Sequence, residues 1–519
     1  MSAHPLPTAA DVYSTRFATK PPVQRVEESV TGARRTPPWG AILTGIGLAL
    51  FVAWCAWSAL SPTPSGQVGL PAQGALTLAL FAVAIWLWIF SAVSDTFVAL
   101  GVAVILVVMG VLPDDTLFSS LGTDTVWLLL SAFVIAAGVT ATGLATRLAA
   151  YIVTGAATLR QLAHLVTAVL VATAYAVPST SGRAALALPV FLALAYVLQQ
   201  HRRVVVALAL LFPSVILLSA VASYLGAGAH LITSQILIAA GEEGFSFVRW
   251  LLLGLPLAVV SSHVCAELIL ALFTTAEDRR RPLAISLERM QEHSPVPLTG
   301  PLTPSQSRSA LIVGVVVALW CSEPLHGLHP AVVALLGGLL VAGPFVGSVG
   351  LGKALKGVPW SMLVFMAATL TLGTALVQSG AANWLAHQVL GPVASAGDSA
   401  GVLFVVLVVV ISTAAHLVIQ SRSARSAVLI PIVIALAPGV GVDAMAVAFA
   451  STAAAGFCHT LTSSAKPVTL FSELEDEDIP TYTPKDLLRL SLWLAPITAG
   501  LVLLFSFLIW PAMGLTLFG

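Results

Sequence analysis

The chain has 519 residues, 58% of them hydrophobic and 9% charged, with 23 Lys and Arg balancing 23 Asp and Glu. Soluble domains carry about 25% charged residues, so a water-soluble enzyme of this size is excluded, and no like-charge or low-complexity tract marks a disordered protein. A crossing helix needs about 20 apolar residues, and the chain supplies that many times over, so it reads as an all-α polytopic membrane protein.

Residues 1–38 form a polar tail that holds Arg16, Lys20, Arg25, Arg34 and Arg35 but no apolar core, so it is not a signal peptide. Apolar runs follow at 39–60, 74–94, 97–113, 125–157, 162–200, 204–241 and 248–274. A hydrophilic gap from Thr275 to Arg308 carries Arg279, Arg280, Arg281, Arg289 and Arg308. Further runs lie at 309–327, 329–352, 359–389, 400–437, 443–472 and 486–517. Cys55, Cys265, Cys321 and Cys458 all fall inside apolar stretches, which argues for packing and against a disulfide framework. No cofactor motif is present, and no cluster has zinc spacing, so no metal is assigned.

Four runs are interrupted by small or polar residues: at Pro178–Arg183, Ser223–Thr233, Gln420–Ser426 and His459–Pro467. Backbone leaves helical geometry inside a membrane only where protein buries it or where it lines a wet cavity. The breaks therefore predict a central polar cavity. The positive-inside rule puts both the tail and the 275–308 gap on the cytoplasmic side. That holds if 162–200 is a re-entrant hairpin, and 400–437 then dips in as a second one. The expected organisation is a tail (1–38), a first repeat (39–274, with hairpin 162–200 and broken helix 204–241), a cytoplasmic linker (275–308) and a second repeat (309–519, with hairpin 400–437 and broken helix 443–472). This amounts to about 11 transmembrane helices and two hairpins.

The halves resemble each other. Ser179-Thr180-Ser181-Gly182-Arg183 is followed by Pro189, and Ser421-Arg422-Ser423-Ala424-Arg425 by Pro431 at the same offset. Hairpins that enter from opposite sides make the repeats inverted, and inverted repeats with broken helices are the layout of a secondary transporter.

Most basic residues fall in tails and loops, but Arg183, Arg422, Arg425 and Lys466 sit at the interruptions. Each costs roughly 2.5–3.5 kcal/mol at mid-bilayer. The acids at similar depth, Glu267 and Asp95, lie far from these motifs in sequence. A cavity with surplus positive charge calls for an anion, and guanidinium matches oxyanions in bidentate fashion. Ser179, Thr180, Ser181, Ser421 and Ser423 supply hydroxyls, Gly182 allows close approach, and the hairpin tips offer helix N-termini. His230 and His459 occupy the breaks of the unwound helices, where each is either a packed core histidine or a substrate or proton ligand.

The pattern resembles the divalent anion/sodium symporter (DASS) family, whose members carry dicarboxylates, citrate or sulfate. The resemblance runs from about residue 39 onward and includes Phe247–Pro256, like the start of the family's sixth helix, and Tyr482–Leu487, like the start of its last. It implies a homodimer, a fixed scaffold and an elevator motion. The family's Ser-Asn-Thr tips are replaced by Ser179-Thr180-Ser181 and Ser421-Arg422-Ser423. Its TPPN-like loops are replaced by Leu231–Gln235 and Ser463–Pro467, which puts Arg422 and Lys466 at the two Asn positions of the second half. In that family the tips and loops help form sodium sites. Fixed cations repel sodium and supply its charge permanently, so the expectation is sodium-independent anion exchange or proton coupling. The alternatives are a sodium symporter that keeps one site at Thr180, and an anion channel.

The expected protein is thus a multi-pass transporter of the inner (cytoplasmic) membrane with a cytoplasmic N-terminus, for a small multivalent anion. Its partners are that anion, lipid and a second copy, with no nucleic acid. No catalytic residue is assigned, since no GxSxG elbow and no GxxxxGK[ST] loop occur.

Overall fold

A computed structural model describes residues 38–61, 69–283, 285–294, 296–394, 399–474 and 479–518. The expected N-terminal tail, apart from Pro38, lies outside the described residues, as do 475–478 of the acidic loop after the last broken helix. The described chain is helical, with no β-strand among its residues. Among the described residues, twelve helices are long and apolar enough to cross a membrane.

The first half opens with α1 (Pro38–Leu60), α2 (Ala72–Phe90), α3 (Asp95–Val108), α4 (Asp114–Ser120) and α5 (Asp124–Thr142). The long apolar run that begins near Trp127 does not continue as one helix. Gly143 adopts φ +67°, a left-handed conformation that favours glycine, and the chain turns there into the short α6 (Leu144–Val153). Next come the arms of the first hairpin, α7 (Leu159–Ala176) and α8 (Thr180–Val197), and then α9 (Arg202–Leu218) with a 3₁₀ turn at Ser219–Ala222. After the break, α10 (Gly228–Ala239) resumes, and α11 (Phe247–Phe273) closes the half.

The linker holds α12 (Ala276–Arg280) and α13 (Leu287–Gln291). It is docked against the protein: Ile285, Met290 and Leu298 are buried in one core with α7, α8 and α9, and Tyr196 at the end of α8 stacks on His293 at 4.5 Å.

The second half runs through α14 (Pro304–Cys321), α15 (Glu323–His326), α16 (Pro330–Ala342), α17 (Leu351–Lys356), α18 (Trp360–Gln378) and α19 (Ala381–Ala394). Its hairpin arms are α20 (Ala400–Ala414) and α21 (Arg422–Leu436). The second broken helix is α22 (Ala444–Ala455) and α23 (Lys466–Ser472), and α24 (Pro484–Leu504) leads to a π turn at Phe505–Ile509 and to α25 (Trp510–Ala512). Thr303 with Gln306 and Thr483 with Asp486 form capping boxes that start α14 and α24.

Helices of similar apolar composition end up in opposite surroundings. The α9 span is 94% buried inside the protein, whereas the α1 span is 6% buried and presents Ile42, Leu50 and Trp57 outward. A helix apolar on every side is stable in a protein core or in lipid, and both solutions are used here.

The hairpins and broken helices pack in a crossed pattern. Each hairpin's second arm rests on the first segment of its own half's broken helix and on the second segment of the other half's. Thus α8 packs on α9 and α23, and α21 packs on α22 and α10. This arrangement brings both broken helices to one place.

Candidate functional site

The two tips are built alike. The hydroxyl oxygen of Ser179 accepts a hydrogen bond from the Gly182 backbone N–H at 3.3 Å, and that of Ser421 accepts one from Ala424 at 3.3 Å. Each serine is therefore the N-cap of its hairpin's second arm, and its own proton remains available to donate. Thr180 and Ser181 lie in the first turn of α8, and Ser423 in the first turn of α21. A Cβ on Gly228 would fall 3.1 Å from Ser423 Oγ, so the second tip meets the restart of the first broken helix directly.

Where α9 and α22 stop, their last carbonyls lose intrahelical partners and carry the negative end of the helix dipole. The arginines go there. Arg183 donates from Nη1 to Ile216 O (3.0 Å), from Nη2 to Leu170 O (2.5 Å) and Ser219 Oγ (2.6 Å), and from Nε to Thr173 Oγ1 (3.0 Å). Arg425 donates from Nη1 to Ala455 O (2.6 Å) and Phe457 O (2.8 Å). Arg422 bridges the two ends, with Nη2 donating to Leu217 O (2.9 Å) and Gly456 O (2.5 Å). Arg183 and Arg425 are 1% and 0% exposed. No carboxylate pairs with any of the three among the described residues; the ion pairs there are Arg160 and His164 with Glu267, Arg249 with Glu243, and His329 with Asp124.

The three guanidiniums differ in what they have left over. Arg183 is engaged along its whole length. Arg425 Nε and Nη2, Arg422 Nε and Ser426 Oγ are buried with no hydrogen-bond partner among the described residues, apart from the weak acceptor Cys458 Sγ beside the guanidiniums. Positions 422, 425 and 426 share one face of α21. Buried donors are nearly always satisfied, and a cationic donor left bare is the most costly kind.

The remaining expected residues are divided. His459 is fully buried and its Nε2 lies 3.4 Å from Ser214 O, so it joins the arginines at the end of α9. His230 lies apart from them: its Nδ1 pairs with Ser223 O at 2.9 Å within its own break, and its ring stacks on Trp250 at 4.7 Å. Lys466 is exposed at the first position of α23. A lysine reaches water along its flexible stem more readily than a guanidinium leaves a fork of carbonyls.

Some polar residues of this region were not assigned to the site from sequence. Thr173 and Ser219 engage Arg183. Thr233 Oγ1 meets Thr452 Oγ1 at 2.6 Å across the two halves, and His416 Nε2, Thr460 Oγ1 and Ser491 Oγ form a chain with steps of 2.7 and 2.6 Å. For the hydroxyls, the available signal was a single polar group in an apolar run, which is too common to stand out.

Residues 85–454 match the model of the CitMHS family, described as citrate transporters. A membrane protein of Cupriavidus necator is 24% identical over 493 residues, which cover 90% of this chain and 92% of that one. The crystal structure of the YdaH transporter of Alcanivorax borkumensis is similar at a TM-score of 0.53 and 16% identity, covering 91% of this chain and 98% of that chain. MtrF of Neisseria gonorrhoeae, from a class of antimetabolite efflux pumps, is similar at a TM-score of 0.51 and 14% identity, covering 93% and 96%. At these identities the likeness to the solved structures is one of fold.

Proposed function

The chain belongs to the citrate transporter family, and on that premise we propose that this membrane transporter exchanges small multivalent carboxylates, di- or tricarboxylate in type, without sodium. The observation that carries the reading is the set of bare donors on α21: Arg425 Nε and Nη2, Arg422 Nε and Ser426 Oγ. A carboxylate accepts from such a fork in bidentate geometry. In this reading Arg422 and Arg425 are the charge partners. Ser421, Ser423, Ser179, Thr180 and Ser181 donate from the tips, and Gly182 leaves room for the ligand. Arg183 and His459 hold the end of α9 and contribute field rather than contact, while His230 shapes the break and Lys466 attracts the anion from the periphery.

Exchange follows from electrostatics. The positive charge is covalently part of the carrier, so the empty site must cross the barrier uncompensated, whereas the loaded one is neutralised by its anion. A guanidinium on unwound carbonyls also occupies the kind of position in which a sodium ion would otherwise be held. The closer likeness to the divalent anion/sodium symporters belongs to the same proposal. So do the inverted repeats, the elevator motion, the homodimer and an inner-membrane location with a cytoplasmic N-terminus.

Binding of radiolabelled citrate to the purified protein tests the site. A charged hydrogen bond is worth about 1.5–3 kcal/mol, so Arg425→Gln weakens binding roughly 10- to 150-fold. Wild-type affinity in that variant would remove Arg425 from the site.

A further inference from the structure

A second polar cluster lies between the first hairpin and α11, away from the arginines. Arg160 Nε and His164 Nε2, both on α7, each lie 2.6 Å from Glu267 Oε1 on α11, and His164 Nδ1 lies 2.8 Å from His263 Nδ1. Glu267 follows His263 by one helical turn, so Arg160, Glu267, His164 and His263 form a continuous chain. It starts near the linker end of α11 and runs inward along that helix. Arg160 and Glu267 are 65% and 42% exposed at its outer end, and His164 is 31% exposed.

The heavy-atom positions restrict the protons. An Nδ1 to Nδ1 contact at 2.8 Å holds one proton, because two N–H groups would collide and two lone pairs would repel. With His164 Nε2–H donating to the Glu267 carboxylate, the neutral pair has His263 Nδ1–H donating to His164. One added proton enters at His263 Nε2, and the shared proton shifts to His164, which becomes an imidazolium held by Glu267. No heavy atom has to move. A second proton has no place.

From this geometry we infer that His164, His263 and Glu267 form a site that binds a single proton and sets the pH dependence of the transport rate by changing the tie between the first hairpin and α11. The arrangement is unsuited to a metal, because Glu267 and His263 lie on opposite ring nitrogens of His164.

Charged groups on the elements packed against α7 and α11 are occupied elsewhere or stand at helix ends. Arg183 is on carbonyls, Arg147 on Gly300, Pro301 and Gln306, and Arg279 on Leu270 and Thr274. Asp124 pairs with His329, Asp278 caps with Thr275 and Asp486 with Thr483, and Arg489 lies over Phe273. Arg202 and Arg203 open α9, Glu277 and Arg280 sit on α12, Lys485 begins α24, and Arg308 lies in the first turns of α14. Within the cluster, the charges that act on His263 are those of His164 and Glu267.

The inference rests on the transport reading only for its rate; the proton count stands without it. Potentiometric titration of the purified protein from pH 8 to pH 5 is the test, with wild type compared with the double variant His164→Gln, His263→Gln. The expected difference is one proton per chain, whereas a difference of two would mean independent histidines and overturn the site. In proteoliposomes, citrate exchange is measured over the same range as the ratio of variant to wild type, which cancels the ionisation of citrate. Glu267→Gln, which removes the carboxylate that pairs with His164, is expected to make that ratio vary with pH, with citrate affinity unchanged. A constant ratio across the range would show that the cluster does not set the rate.

Discussion

Arg422, on the second hairpin, donates to the carbonyl of Leu217 at the end of the first half's broken helix, 2.9 Å away. The same Nη2 reaches Gly456 O at the end of the second broken helix. One guanidinium thus joins the negative ends of both interrupted helices, and those ends hold their places relative to each other partly through it. Any motion that separates the hairpin from either helix end must break charge-assisted bonds in a water-poor region.

Removing that bridge separates geometry from charge. Arg422→Asn leaves Leu217 O and Gly456 O without their cationic donor, and exchange is expected to fall by at least about tenfold, on the scale of one charged hydrogen bond. Arg422→Lys keeps the charge but carries it on a flexible stem without the guanidinium's fixed geometry, so it is expected to restore anion affinity better than exchange rate. Equal affinity and sodium response in Arg422→Asn and wild type would contradict the role given to this residue.

Arg183 and Arg425 should respond differently. Arg183→Gln removes a cation bonded to Leu170, Ile216, Ser219 and Thr173, and the loss is expected chiefly in stability, on the order of 1–3 kcal/mol for each buried oxygen left unsatisfied. Thermal unfolding in detergent reads it. Arg425→Gln is expected to lose citrate binding with a smaller change in unfolding temperature, because two of its nitrogens have no oxygen or nitrogen partner among the described residues. The reverse ranking would exchange their roles.

Much of this was legible in the sequence, for identifiable reasons. Small and charged residues inside apolar runs are costly in lipid, so Ser223 and His459 marked breaks that fall after α9 and α22. The matched offsets of Pro189 and Pro431 marked second arms whose serines are both N-caps. Partners could not be read. Glu267 and His164 are far apart in the chain yet lie 2.6 Å apart, and only the packing of α7 on α11 reveals it. Nor does an arginine in a sequence say whether all its nitrogens meet acceptors, as in Arg183, or only one meets carbonyls, as in Arg425. The turn at Gly143 was hidden because apolar residues continue on both sides of it.

Close packing at the first break gives a third prediction. Gly254 on α11 faces the carbonyl of Val221, and a Cβ there would overlap it. Gly254→Ala is expected to destabilise the protein by about 1–3 kcal/mol as an overpacked contact against rigid backbone, seen as a lower unfolding temperature. An unchanged temperature would mean that the 3₁₀ turn at Ser219–Ala222 yields easily.

The linker offers a pH-dependent check. The Asp278 carboxyl is held below its usual range by the hydrogen bond from the Thr275 backbone N–H, with further help from the Thr275 hydroxyl. A depressed folded value contributes stability above the ordinary carboxylate value and loses it as pH falls through the folded one. Asp278→Asn should therefore raise amide exchange at Thr275 at neutral pH and leave it unchanged in strong acid. A difference that grew toward acid would have the wrong sign.

The central claim, that fixed arginines replace a coupling cation, is tested most directly by labelled citrate uptake into proteoliposomes, with internal unlabelled citrate and external sodium each present or absent. The account predicts rapid uptake whenever internal anion is present, little without it, and no response to sodium. Sodium-dependent accumulation in anion-free vesicles would contradict it.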